Sequence, residues 1–89
     1  MTWRIEFDRH ALREFEKLDR ATRKRILDFL TQRLANRDDP RQLGEAMSGP
    51  DLGEFWRYRV GSYRIVARLK DKELVILVVR VGRRRQVYR

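Results

Sequence analysis

The 89 residues contain no cysteine and a single histidine, His10. A disulfide framework, a thiol nucleophile and a cysteine metal site are therefore ruled out, and His10 alone cannot assemble a metal cluster. No cofactor is expected. The longest apolar run, Leu74–Val79, is far short of the roughly 20 residues a spanning helix needs. Met1–Phe7 alternates charged and apolar residues and has no apolar secretory core. These gaps lead to the expectation of a soluble, cytoplasmic chain with no membrane partner. An apolar fraction of 42% is ordinary for a globular protein, so 39% charged residues do not argue for disorder. The length allows one domain, 1–89, with one core.

Acidic residues are scarce in one half of the chain only. Glu54–Arg89 holds 11 Lys/Arg and 3 Asp/Glu, a net +8, whereas Met1–Gly53 holds 11 and 10, a net +1. A sequence pI near 11.0 points to an anionic partner, which on charge alone is RNA, DNA, a membrane surface or an acidic protein. The basic half reads GEFWRYRVGSYRIVARL and then DKELVILVVRVGRRRQVYR. Its arginines alternate with aromatic and β-branched residues, the composition of a folded surface that meets phosphates.

Periodicity supplies the elements. Trp3, Ile5 and Phe7 alternate with Arg4 and Glu6, which predicts a short strand. Asp8 is placed to cap a helix over about His10–Leu18, with Ala11, Leu12, Phe15 and Leu18 on its apolar face. A break near Asp19–Arg20 precedes a second helix, about Ala21–Ala35, with Ile26, Leu27, Leu30 and Leu34 inward and Phe29 at the margin. The span Asn36–Gly53 is rich in Gly, Pro and Asp and reads as a connection, pinned to the core by Leu43 and Met47. Glu54–Val60 and Tyr63–Leu69 alternate as strands around a Gly61-Ser62 turn. After a second turn at Lys70–Lys72, Glu73–Val81 is apolar on both faces, as a central strand is, and Gly82 is expected to stop it. The order β-α-α-β-β-β predicts an α+β fold, a mostly antiparallel sheet with a two-helix hairpin on one face.

On that sheet Arg57 and Arg59 project from one face of their strand, and Arg64 and Arg68 from the next strand. Arg80 and the run Arg83-Arg84-Arg85 follow. Guanidiniums suit phosphate because the planar fork donates two hydrogen bonds and stays charged. Tyr63 and Tyr88 are able to stack on bases. The plainer alternative is a solvated, edge-protecting arginine face. Trp56, Tyr58 and Tyr63 read individually as packing residues, and His10 as a surface helix residue. Glu14, Glu16 and Asp19 are expected to pair with Lys17, Arg20 and Arg23 on exposed helix faces.

Asp8-x-x-Ala11, Leu18, the block Trp56-Arg57-Tyr58-Arg59-Val60-Gly61-Ser62-Tyr63-Arg64 and the ending Val81-Gly82-Arg83-Arg84-Arg85-Gln86-Val87-Tyr88-Arg89 resemble the RelE/ParE superfamily of type II toxin–antitoxin toxins, and within it the RelE branch. The resemblance implies a microbial-ribonuclease-like fold and a metal-independent endoribonuclease that cleaves mRNA in the ribosomal A site. The ribose 2′-hydroxyl attacks the adjacent phosphate and a 5′-hydroxyl leaves. It implies a catalytic set of Arg57, Arg59, Arg64, Arg84 and Tyr88, with Arg68, Arg83, Arg85 and Arg89 binding RNA or the ribosome. Arg64 would clamp the scissile phosphate, Arg57 and Arg59 would add positive field, Arg84 would stabilise or protonate the leaving oxygen, and Tyr88 would orient a base. Implied partners are a cognate antitoxin, the ribosome and mRNA. Some relatives carry lysines where this chain has Arg57 and Arg59, and close relatives often carry histidine at position 83. Arginine, with a pKa above about 12, does not serve as a base, so the resemblance leaves the general base unassigned. Two other readings stay open: a ParE-like gyrase inhibitor on the same fold, and a non-enzymatic RNA- or ribosome-binding protein.

Overall fold

The computed structural model describes residues 2–47 and 55–83. In chain order the elements are β1 (Arg4–Phe7), α1 (Arg9–Glu16), α2 (Arg20–Asp28), a π turn (Phe29–Leu34), a 3-10 turn (Pro40–Leu43), β2 (Glu45–Ala46), β3 (Phe55–Val60), β4 (Tyr63–Lys70) and β5 (Val75–Arg83). The strands form one sheet in the order β1-β5-β4-β3-β2. β1 runs parallel to β5 and the other pairings are antiparallel. This is the expected α+β architecture with one strand more. β2 falls in the stretch read as connection; two residues are too few to alternate, and β2 shows itself only by pairing Glu45 with Arg57 and Ala46 with Trp56.

Both helices start where an aspartate stops the strand or loop before them. The Asp8 carboxylate accepts the Ala11 amide at 2.8 Å, and Asp19 accepts the Thr22 amide at 3.3 Å, each satisfying a donor left over at a helix N-terminus. Asp19 is thus a cap, not the partner of a helix-face cation. The second helical span departs from a plain 3.6-residue repeat. At Phe29–Leu34 the hydrogen bonds lengthen to the π pattern, with the Ala35 amide bonded to the Leu30 carbonyl at 2.8 Å. Ile26, Phe29, Leu30, Leu34 and Ala35 are buried along this span. Leu27, expected inside, is 39% exposed, and Leu12 of α1 is 44% exposed. No helix of the described residues is long and apolar enough to cross a membrane.

The sheet alternates as its sequence does. Tyr58, Ile65, Ala67, Ile76, Val78 and Val81 are buried in the same core cluster as the helical residues. Tyr58 is the pivot of this layer: its ring is 1% exposed and its hydroxyl donates to the Pro40 carbonyl at 3.0 Å. Burial raises the pKa of that phenol. Gly44 makes room for the ring, since a Cβ there would stand 2.6 Å from Tyr58 Cε1. Leu43 packs against the core, and the half-buried Met47 bonds through its amide to the Phe55 carbonyl at 3.1 Å. Gly61 turns β3 into β4 at φ +59, a conformation that favours glycine.

β5 begins at Val75 and does not stop at Gly82. Gly82 pairs with Arg64 and Arg83 with Tyr63, so the ladder carries the strand through the glycine. A register shift sets Val66 opposite Arg80 but Ala67 opposite Val78, leaving Val79 as the extra residue of a bulge.

Candidate functional site

Opposed residues of an antiparallel pair share a face, so the register decides which cations stand together. Arg57 pairs with Val66, Arg59 with Arg64, and Phe55 with Arg68. On the other side of β4, Val66 pairs with Arg80, Arg64 with Gly82, and Arg68 with Leu77. Arg57, Arg59, Arg64 and Arg68 therefore share the face turned away from the Tyr58–Ile65 core layer, as their alternation predicted. Val66 sits among them and is only 4% exposed, which fits arginine stems lying over it.

Two features set this face apart from a solvated edge. Arg59 and Arg64 are directly opposed like charges, an arrangement that costs stability and that an anion laid across the pair reverses. Beside them, β2 brings an acid onto the same face. Arg57 Nη2 donates to Glu45 Oε2 at 2.9 Å. The hydrogen bond and charge of Arg57, followed by the charges of Arg59 and Arg64, hold the Glu45 carboxyl below the ordinary glutamate range. Three of the expected site arginines thus act on one carboxylate that periodicity did not single out. The signal available in the sequence was weak, a single acid between Gly44 and Ala46 in a segment too short to show a strand.

The remaining basic residues separate from this group. Arg64 Nη1 donates to the carbonyls of Tyr63 and Gly61 at 3.1 and 3.5 Å, which ties it to the β3–β4 turn. Arg68 lies four residues further along β4, roughly 13 Å away at about 3.3 Å per residue. Arg83 belongs to the opposite face: its guanidinium stands 5.8 Å from the centroid of the Tyr63 ring. Tyr63 is half-buried and that ring already carries a cation. Arg84, Arg85, Tyr88 and Arg89 lie outside the described residues.

The bulge sets Arg80 opposite Val66, on the arginine face, but its side chain is engaged by Glu14. Its Nε and Nη2 donate to the Glu14 carboxylate at 3.2 Å, and Glu14 Oε1 also accepts the Val81 amide at 2.9 Å. β1 ends opposite Val78, so α1 takes over the outer edge of β5 beyond that point, and Glu14 satisfies a donor that edge leaves open. Glu14, expected to pair along its own helix, is a cross-chain anchor with a side chain only 21% exposed. Exposed His10 stands 3.7 Å from it. Two shallow depressions flank the site. One lies between α1 and the end of β5 (Glu14, Lys17, Leu18, Tyr63, Arg83). The other lies between α2 and the β3–β4 turn (Arg25, Gln32, Arg33, Arg59, Gly61). Among the described residues no three His, Asp or Glu side chains gather as metal ligands.

The sequence and the fold have known counterparts. The profile of a family described as the ParE toxin of the type II toxin–antitoxin system parDE matches residues 5–88. The mRNA interferase toxin RelE of Escherichia coli (strain K12) is 31% identical over 85 residues, spanning 94% of this chain and 85% of that protein. Among solved structures, the toxin–antitoxin complex RelBE2 of Mycobacterium tuberculosis superposes with a TM-score of 0.84 at 23% identity, covering 94% of this chain and 93% of that one. The isolated E. coli RelE toxin gives a TM-score of 0.72 at 23% identity, covering 91% and 83%.

Proposed function

The chain belongs to the RelE/ParE superfamily of type II toxin–antitoxin toxins, and from that premise we propose that it is a cytoplasmic, ribosome-dependent, metal-independent endoribonuclease that cuts mRNA in the A site and arrests translation. The observation that carries the reading is the convergence of Arg57, Arg59 and Arg64 on one sheet face in a chain 31% identical to an mRNA interferase. Phosphodiester cleavage by the neighbouring 2′-hydroxyl builds negative charge on the phosphate oxygens. Fixed guanidiniums stabilise that charge without reorganising at the moment of reaction, and docking on the ribosome holds the attacking oxygen in line.

In this reading Arg64 clamps the scissile phosphate, and its bonds to the turn carbonyls fix its stem. Arg57 and Arg59 supply positive field on the attacking side. Arg84 stabilises the leaving 5′-oxygen and Tyr88 orients a base. Arg68, Arg83, Arg85 and Arg89 dock on ribosomal RNA, where each phosphate contact adds about one unit to the salt dependence of binding. The partner that silences the toxin is a cognate antitoxin with an acidic, amphipathic segment, as befits a chain that resembles proteins solved as toxin–antitoxin complexes. Leu12 and Leu27, apolar and exposed on the two helices, are apolar points for such a segment.

Induced expression followed by mapping of mRNA 5′ ends is the test. Cuts within translated codons, lost together with growth arrest in Arg64→Ala and Arg84→Ala, are the expected result. Full toxicity of Arg84→Ala sinks the site assignment. A gyrase-directed reading is kept because the matching family profile bears the ParE name; DNA damage with intact mRNA favours it instead.

A further inference from the structure

Arginine-rich cleavage without a lysine or histidine leaves open what removes the 2′-proton. We infer that Glu45 is the general base of the reaction, an inference that rests on the interferase reading above. Its position carries the argument. Glu45 lies on β2 directly opposite Arg57, on the face that also bears the opposed pair Arg59 and Arg64. A phosphate held by those guanidiniums brings its own ribose alongside, so the 2′-hydroxyl arrives next to the carboxylate. The bond to Arg57 uses Oε2 at 2.9 Å, and the side chain is 69% exposed, so Oε1 can receive a proton.

The resting contact also makes the base conditional on substrate. With no RNA present, Arg57 lowers the proton affinity of Glu45. An incoming phosphate draws Arg57 to itself and places a negative charge beside the carboxylate. Both changes raise its proton affinity, so Glu45 becomes a stronger base only when there is a proton to take. The proton of the 2′-hydroxyl passes to Glu45 as the 2′-oxygen bonds to phosphorus. The bond from phosphorus to the 5′-oxygen breaks with its electron pair, and that oxygen takes a proton from water. Glu45 then returns its proton to solvent. The products are a 2′,3′-cyclic phosphate and a 5′-hydroxyl, with no net change in charge or oxidation state.

Single-turnover cleavage of mRNA on programmed ribosomes separates this role from a merely structural one. Glu45→Gln keeps a carbonyl that accepts from Arg57 but accepts no proton, whereas Glu45→Ala loses both. A base predicts that both variants fall by about 10²–10⁴-fold while melting temperature and ribosome binding hold. Added formate should restore part of the Glu45→Ala rate. The wild type should be flat between about pH 5.5 and 8, and Glu45→Gln should rise about tenfold per pH unit as hydroxide takes over. A Glu45→Gln enzyme that cuts as fast as the wild type, with the same profile, overturns the assignment and leaves the interferase reading standing. A wild type that cuts no mRNA on ribosomes overturns both.

Discussion

The two faces of one sheet are built from the same strands and do opposite work. On the helix side, Tyr58, Ile65, Val78 and Val81 are at most 1% exposed and pack with Ile26 and Leu30. On the other side, the alternate positions of β3 and β4 carry Arg57, Arg59, Arg64 and Arg68. The first face gains free energy by removing apolar surface from water. The second spends some of it, since Arg59 and Arg64 repel across the ladder. A residue's contribution to folding and its contribution to RNA chemistry should therefore separate almost cleanly by face.

The sharpest way to break that separation is on the arginine side. Arg64→Ala should lower the cleavage rate by about 10²–10³-fold with a melting temperature that is unchanged or slightly raised as the repulsion with Arg59 goes, read by toxicity and thermal denaturation side by side. On the helix side, Leu30→Ala should lose about 3 kcal/mol of stability in a denaturant titration, with normal activity per folded molecule. Glu14→Ala tests the junction of the two regions. It removes the carboxylate that accepts from Arg80 and Val81 and should cost about 2 kcal/mol, again by denaturant titration. Tyr58→Phe deletes the bond to the Pro40 carbonyl and should cost about 1 kcal/mol with RNA cleavage intact. Acid should have the smallest effect. Asp71 beside Arg41, Glu45 beside Arg57 and Asp19 at its cap all titrate below their ordinary values. A carboxyl lowered by folding contributes stability that is fully present above its unfolded value. That stability is lost as pH falls through the lowered one, so thermal stability should hold down to about the ordinary glutamate value of 4.5 and decline only below it.

How far the sequence could be read depended on how local the cause was. Asp8 and Asp19 cap their helices through bonds three residues away, and both helix starts were legible. The alternation of β3 and β4 placed Arg57, Arg59, Arg64 and Arg68 on one face because side-chain direction in a strand has a period of two. In the second helix Leu27 is exposed and Phe29 buried, the reverse of what periodicity suggests, because the packing of the sheet against this helix chooses which side of its apolar stripe faces the core. Glu45 escaped because β2 has only two residues and its meaning comes from a partner 12 positions away. Glu14 escaped because its partners, Arg80 and Val81, are 66 and 67 positions away.

By itself, then, the amino-acid order determined both helices and the four longer strands, the segregation of charge into one half and the arginine face, since each follows from neighbours a few residues apart. Tertiary structure decided that β1 lies beside β5 and not β4, that the bulge at Val79 sets Arg80 opposite Val66 where Glu14 engages it, and that Glu45 enters the arginine cluster. Those three outcomes depend on which distant segments the sheet brings into register. Register is set by the burial of a whole face at once, not by any short stretch of sequence.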